Sequence, residues 1–155
     1  MDVTIMPSTT SLISQLKSDY PQFTFKKSKR FLWLPSQSTV YYTGSTDDYS
    51  FLLHELSHGL LGHAEYSRDV ELIAMERAAW DNAVELAPTY NLIISDETVE
   101  TTLDSYRDWL HARSTCPNCK ATGLQIRQHV YSCIACHQSW RVNEARVCAL
   151  RRYSV

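Results

Sequence analysis

The chain has 155 residues, room for one ordinary domain with a small appendage. An apolar share of 44% and a charged share of 21% are near the globular average, which excludes a disordered chain, and no apolar run is long enough to span a bilayer. Net charge is −2 but uneven: residues 46–106 carry two basic and thirteen acidic groups and residues 107–155 eight basic and two acidic, pointing to two units with different surfaces.

The opening "MDVTIMPSTT" lacks the basic and apolar regions of a secretory signal, so the expected location is cytoplasmic, with reduced thiols and no membrane association. Residues 9–19 read as a short amphipathic helix with Leu12, Ile13 and Leu16 on one side. "FTFKKSKRFLWLPSQSTVYYT" then reads as strands: Phe23 and Phe25 alternate with polar residues, "KKSKR" is a charged turn, and "FLWL" and "TVYY" are rich in β-formers. Pro35 cannot donate to a ladder, which argues for an edge position or a bulge. Ser45, Thr46 or Asp47 can cap a helix running to about Gly62. A second helix is expected over Asp69–Leu86, stopping before Pro88. A third, capped by Ser95 or Asp96, carries Val99, Leu103, Tyr106 and Leu110 at helical spacing. Strands plus helices of this order give an α+β class, and composition changes near Ser114. Residues 1–113 are therefore expected as one domain and residues 114–155 as a second, smaller module.

Within "FLLHELSHGLLGH", His54-Glu55-Leu56-Ser57-His58 is H-E-x-x-H. Residues four apart on a helix lie one turn above each other, so both imidazoles reach a single ion. Glu55 then faces a zinc-bound water and takes its proton; zinc lowers the pKa of that water to about 7. The apolar flanks put these histidines on a buried helix, where unpaired polar groups are costly.

A hydrolytic zinc site normally has three protein ligands and one open position. His63 follows His58 by five residues, where the metzincin spacing needs six and a glycine at the place of Leu61. On a continuing helix His63 would lie about 140° around from His58, so it reads as a helix-end or cleft residue. The second helix offers Glu76 and Glu71. Glu76 shares a small-residue stripe with Ala79 and Ala83, suited to close helix approach, whereas Glu71 reads as a solvated first-turn residue.

"LLHELSHGLLGH" followed by "ERAAWDNAVELAP" resembles the ImmA/IrrE group of small gluzincin metallopeptidases, over roughly residues 30–90. The resemblance implies a zincin-like fold, peptide-bond hydrolysis, His54 and His58 as ligands, Glu55 as general base and Glu76 as third ligand. It also implies that "WLPSQSTVYY" supplies an edge strand on which an extended protein or peptide substrate docks. The chain departs from the family pattern where Ala78-Ala79 replaces a glutamate–alanine pair and Trp80 supplies the aromatic. SprT-like proteases, which act on DNA-bound proteins, also carry a zinc-ribbon-like tail, and their likeness implies His111 as the third ligand instead. Tyr66, Tyr42, His63 and His111 are candidates to stabilise an oxyanion. A non-enzymatic adaptor, with the helix binding metal only structurally, is the other class the motif allows.

The tail reads C-x2-C-x13-C-x2-C through Cys116, Cys119, Cys133 and Cys136, the spacing of a four-thiolate structural zinc site. Two zinc ions per chain are therefore expected, one catalytic and one structural. Forty residues bury little core, so the metal should hold this module folded. Cys148 is left over and expected as a buried thiol; His129 and His137 are expected at the surface. Arg113, Lys120, Arg127, Arg141, Arg146, Arg151 and Arg152 make the tail basic, suited to nucleic acid, with Trp140 and Tyr131 available to stack on bases, or else to a solvated face.

Overall fold

A computed structural model describes residues 9–44, 49–146 and 148–155; the cap candidates Ser45, Thr46 and Asp47 lie outside the described residues. Helix α1 (Thr9–Asp19) precedes strands β1 (Thr24–Lys27), β2 (Leu32–Leu34) and β3 (Thr39–Tyr42), then helices α2 (Tyr49–Leu60), α3 (Asp69–Leu86) and α4 (Asp96–Ser114). Four short strands follow: β4 (Leu124–Arg127), β5 (Val130–Ser132), β6 (Ser139–Val142) and β7 (Arg152–Ser154). This is the mixed helix-and-sheet class expected. The chain divides into two compact units, Met1–Ala64 with Met75–Val99, and Glu65–Ala74 with Glu100–Val155. Among the described residues no helix is long and apolar enough to cross a membrane.

In the first unit the strand order is β1-β3-β2, with β1 parallel and β2 antiparallel to β3. Trp33 pairs with Val40, and β2 is left at an edge. Pro35 sits just past β2 and opens a 3-10 turn over Pro35–Gln37, a position where its missing N–H costs no ladder bond. Lys26 and Lys27 belong to β1, so the charged turn is shorter than "KKSKR" suggested. Helix α1 buries Leu12 and Leu16, and α2 buries Leu52, Leu53 and Leu56 together with His54, Ser57 and His58.

Helix α2 ends at Leu60, two residues earlier than expected. Gly62 is left-handed (φ 68), a conformation a side chain resists. The Gly62 N–H donates to Gly59 O at 3.1 Å and the His63 N–H to His58 O at 2.9 Å. That bond pair is a Schellman cap, which satisfies two terminal carbonyls and turns the chain back over the helix end. Gly59 is needed for a different reason: a Cβ there would lie 3.0 Å from the Trp33 ring and 3.2 Å from Phe23.

Helix α3 runs over the expected residues, and Pro88 falls in a 3-10 turn over Ala87–Tyr90. Its buried stripe is Glu76, Ala79, Trp80 and Ala83, at i, i+3, i+4 and i+7. Ser95 Oγ accepts the Thr98 N–H at 3.2 Å and so caps α4. On α4 the buried apolar residues are Val99, Leu103 and Trp109; Tyr106 and Leu110 are only half-buried.

In the second unit β4, β5, β6 and β7 form an antiparallel sheet in that order. Cys116, Tyr131, Cys133, Trp140 and Val142 make its core, with Leu110, Ala121 and Leu150 packed against it. Tyr131 and Trp140 are a cross-strand pair with stacked rings 5.8 Å apart. Both are within 2% of complete burial, so they are core residues and not surfaces for bases. Arg113, expected on a basic exterior, is fully buried as well. Its Nε donates to Asp69 Oδ2 at 2.7 Å, and Tyr131 OH donates to the same oxygen at 2.6 Å. Further bonds run from Arg113 Nη1 to the carbonyls of Asn143 and Glu144, from Arg113 Nη2 to His129 Nδ1, and from Trp140 Nε1 to Arg113 O. Such a pair survives burial only when its remaining donors and acceptors are matched, as they are here. Burial and the Asp69 carboxylate hold the Tyr131 phenol well above its usual range, keeping it a donor. Cys148, expected buried, is exposed in a bend.

Candidate metal centres

One turn of α2 separates His54 from His58, and the third donor comes from α3. His54 Nε2 lies 2.9 Å from Glu76 Oε2, His58 Nε2 3.3 Å from Glu76 Oε1, and the two Nε2 atoms are 3.1 Å apart. All three residues are buried. Burial opposes ionisation of Glu76, but the hydrogen bonds from His54 and His58 outweigh it and bring its pKa down to about 2. A carboxylate therefore faces two imidazole nitrogens.

Bonds of about 2.1 Å at tetrahedral angles set donor atoms about 3.4 Å apart. The three observed separations, which use both oxygens of Glu76, lie about 0.1–0.5 Å below that value, so the donor set fits a divalent cation with small relaxation. Among the described residues, His54, His58 and Glu76 form one of two groups whose donor atoms converge in this way. His63, Glu71 and His111 are in neither group.

Each of those three has another place. Glu71 is exposed, and its Oε2 accepts the N–H groups of Ser67 and Arg68 ahead of α3, which hold its carboxyl below the usual range. His111 is exposed on α4. His63 Nδ1 lies 2.8 Å from Nδ1 of His58, the ring nitrogen facing away from Glu76. Burial, then the neighbouring His58, lowers the His63 pKa below 6.5, which keeps an acceptor nitrogen available at neutral pH. No helical spacing foretold this contact, because it depends on the cap at Gly62.

His54 is oriented differently. It stacks on Trp80 at 4.2 Å, and Trp80 sits one turn beyond Glu76 on α3. Asn82 Nδ2 donates to Ser57 Oγ at 3.0 Å, a further bond between the two helices.

Glu55 Oε2 accepts the backbone N–H of Trp33 at 2.8 Å. Because Trp33 lies on edge strand β2, the Glu55 carboxylate is anchored to the sheet, and it is not among the converging donors of the His–His–Glu cluster. The same residue's indole donates to His63 O at 2.9 Å. Motif reading did not find Trp33; its signal was only a tryptophan in a β-rich run. Of the oxyanion candidates, Tyr66 OH donates to Glu144 Oε1 at 3.3 Å, and burial with that carboxylate raises its pKa to about 12.

The four cysteines make the other group. Cys116 and Cys136 Sγ are 3.6 Å apart, and Cys119 and Cys133 Sγ 3.5 Å. A tetrahedron of zinc–sulfur bonds about 2.3 Å long sets sulfurs about 3.8 Å apart, so these thiols also fit. Two similar turns present them. Lys120 N donates to Cys116 O at 3.0 Å and His137 N to Cys133 O at 2.9 Å, while Cys116 N and Cys133 N each return a 2.8 Å bond, to Ala121 O and Gln138 O. The residue after each C-x-x-C is left-handed, Lys120 at φ 66 and His137 at φ 65. The Asn118 side chain and the Gln138 N–H bring Cys136 down to about 6, towards the thiolate a metal needs.

No family model, no curated protein and no solved structure matches this chain.

Proposed function

We propose that the chain is a zinc-dependent metallopeptidase, with His54, His58 and Glu76 as ligands of the catalytic ion and Glu55 as general base. The observation that carries this reading is the convergence of two imidazoles and a buried carboxylate; Glu55 follows His54 in the chain, and its own carboxylate is held by the edge-strand N–H of Trp33. Held by His54, His58 and Glu76, zinc would supply carbonyl polarisation and a lowered pKa of bound water, easing loss of its proton near neutral pH. Glu55 accepts the proton of the attacking water and returns it to the leaving amine. An extended peptide adds as a strand at the edge of β2, where it takes over the Trp33 N–H that Glu55 otherwise accepts. Cys116, Cys119, Cys133 and Cys136 hold a second, structural zinc in a module that serves targeting or partner binding.

The test is a peptide-library cleavage assay on the zinc-loaded chain with its Glu55→Gln variant. The variant is expected to keep both ions and lose about 10²–10⁴-fold in rate, the range for a general base. Unchanged cleavage by Glu55→Gln would sink the mechanism. Retention of both ions by a wild-type chain that cleaves nothing in the library would favour the adaptor reading.

A further inference from the structure

We propose that His63 is a positioning residue for the His54–His58–Glu76 centre: it accepts the Nδ1 proton of His58 and so holds that ring with its Nε2 lone pair facing the ion. The proposal rests on the reading of those three residues as ligands.

A neutral imidazole carries one N–H, and it ligates through the nitrogen that lacks it. The His58 ring must therefore keep its proton on Nδ1 for Nε2 to bind. At 2.8 Å from that nitrogen stands His63 Nδ1. The bond admits either direction, and ligation by Nε2 selects the one in which His58 donates. Among the described residues His54 has no such anchor: its Nδ1 is buried without a hydrogen-bond partner there, and the ring is held by stacking on Trp80. The two ligand histidines are thus oriented by different means, His54 by ring stacking and His58 by a hydrogen bond to a second imidazole.

His63 is itself held from two sides. Its N–H closes the Schellman cap on His58 O, and its carbonyl accepts the Trp33 indole N–H at 2.9 Å. The absence of a side chain at Gly59 lets the Trp33 ring lie against α2, and the left-handed Gly62 turns the chain so that position 63 returns over position 58. A histidine merely filling a surface cleft needs none of these restraints. A hydrogen-bond partner behind a metal ligand fixes tautomer and orientation, and its loss typically weakens metal binding 10–100-fold.

The experiment measures zinc affinity of the full chain by chelator competition, following the more weakly held of two ions. Phenylalanine at position 63 keeps a ring but offers no acceptor; asparagine offers Oδ1 near the place of Nδ1. His63→Phe is expected to weaken that ion about 10–100-fold and leave the ribbon ion unchanged, and His63→Asn to recover most of the loss. In nitrogen-15 NMR of the zinc-loaded wild type, the His58 Nδ1 proton should be visible and slow to exchange, and in His63→Phe it should be lost to solvent. If the wild type holds two ions and His63→Phe binds the second as tightly, the proposal is overturned while the ligand assignment stands. Should His63→Asn bind as weakly as His63→Phe with the same fold by circular dichroism, a packing role replaces the proposal. A wild-type chain that takes up the ribbon ion alone overturns the ligand assignment, and this proposal with it.

Discussion

The four thiols come from two turns of the same kind, Cys116–Cys119 and Cys133–Cys136, each closed by its own backbone bonds and a left-handed residue. The two imidazoles come from α2 and the carboxylate from α3, and each imidazole is restrained by a group that is not itself a donor to the cluster: Trp80 for His54, His63 for His58. Four thiolates close a tetrahedral shell, whereas three donors leave a position for substrate or water. The first arrangement suits holding a fold together and the second suits chemistry. The contrast also says where each will fail: the thiol cluster through loss of metal, the His–His–Glu cluster through loss of orientation.

Removing the metal from the thiol cluster has the widest consequence. Chelation, or Cys133→Ser, should unfold the β4–β7 sheet, since structural zinc in small modules contributes about 10–16 kcal/mol. Loss of amide dispersion for residues 115–142, with helical circular dichroism from α2 largely retained, is the signature; an intact sheet without metal would break the comparison. Glu76→Ala should reduce the ions per chain from two to one, whereas His111→Ala keeps both. Metal analysis of the two variants separates the ligand sets implied by the ImmA/IrrE and SprT-like resemblances. Asp69→Ala leaves Arg113 buried without its partner and should cost about 3–5 kcal/mol by chemical denaturation. Gly62→Ala meets no steric obstacle, only the left-handed backbone, and should cost about 1–2 kcal/mol, read as a fall in Tm.

Local chemistry was legible in the sequence. The cysteine spacing named all four thiols, and Ser95 and Pro88 marked where α4 starts and α3 gives way. Glu76 could be preferred because its neighbours Ala79 and Ala83 share its face, and the structure brings it to the two histidines. Where contacts depend on a change of chain direction, the sequence was opaque. Treating α2 as continuous to Gly62 sent His63 away from His58, while the Schellman cap returns it. Arg113, Tyr131 and Trp140 read as surface residues because Asp69, which pairs with Arg113 and Tyr131, lies 44 and 62 residues away from them. Aromatic and basic composition alone does not tell a buried network from an exposed patch.

The buried Asp69–Arg113 pair bears on modular exchange. A ribbon excised at residue 114 and grafted to another protein would bring Tyr131 without the carboxylate its phenol binds, and Trp140 without the Arg113 carbonyl its indole binds. The carbonyls of Asn143 and Glu144 would lose their guanidinium. A portable version has to carry the start of α3 and the end of α4 with it, so recombination at the composition boundary would yield a four-cysteine module with a loosened core.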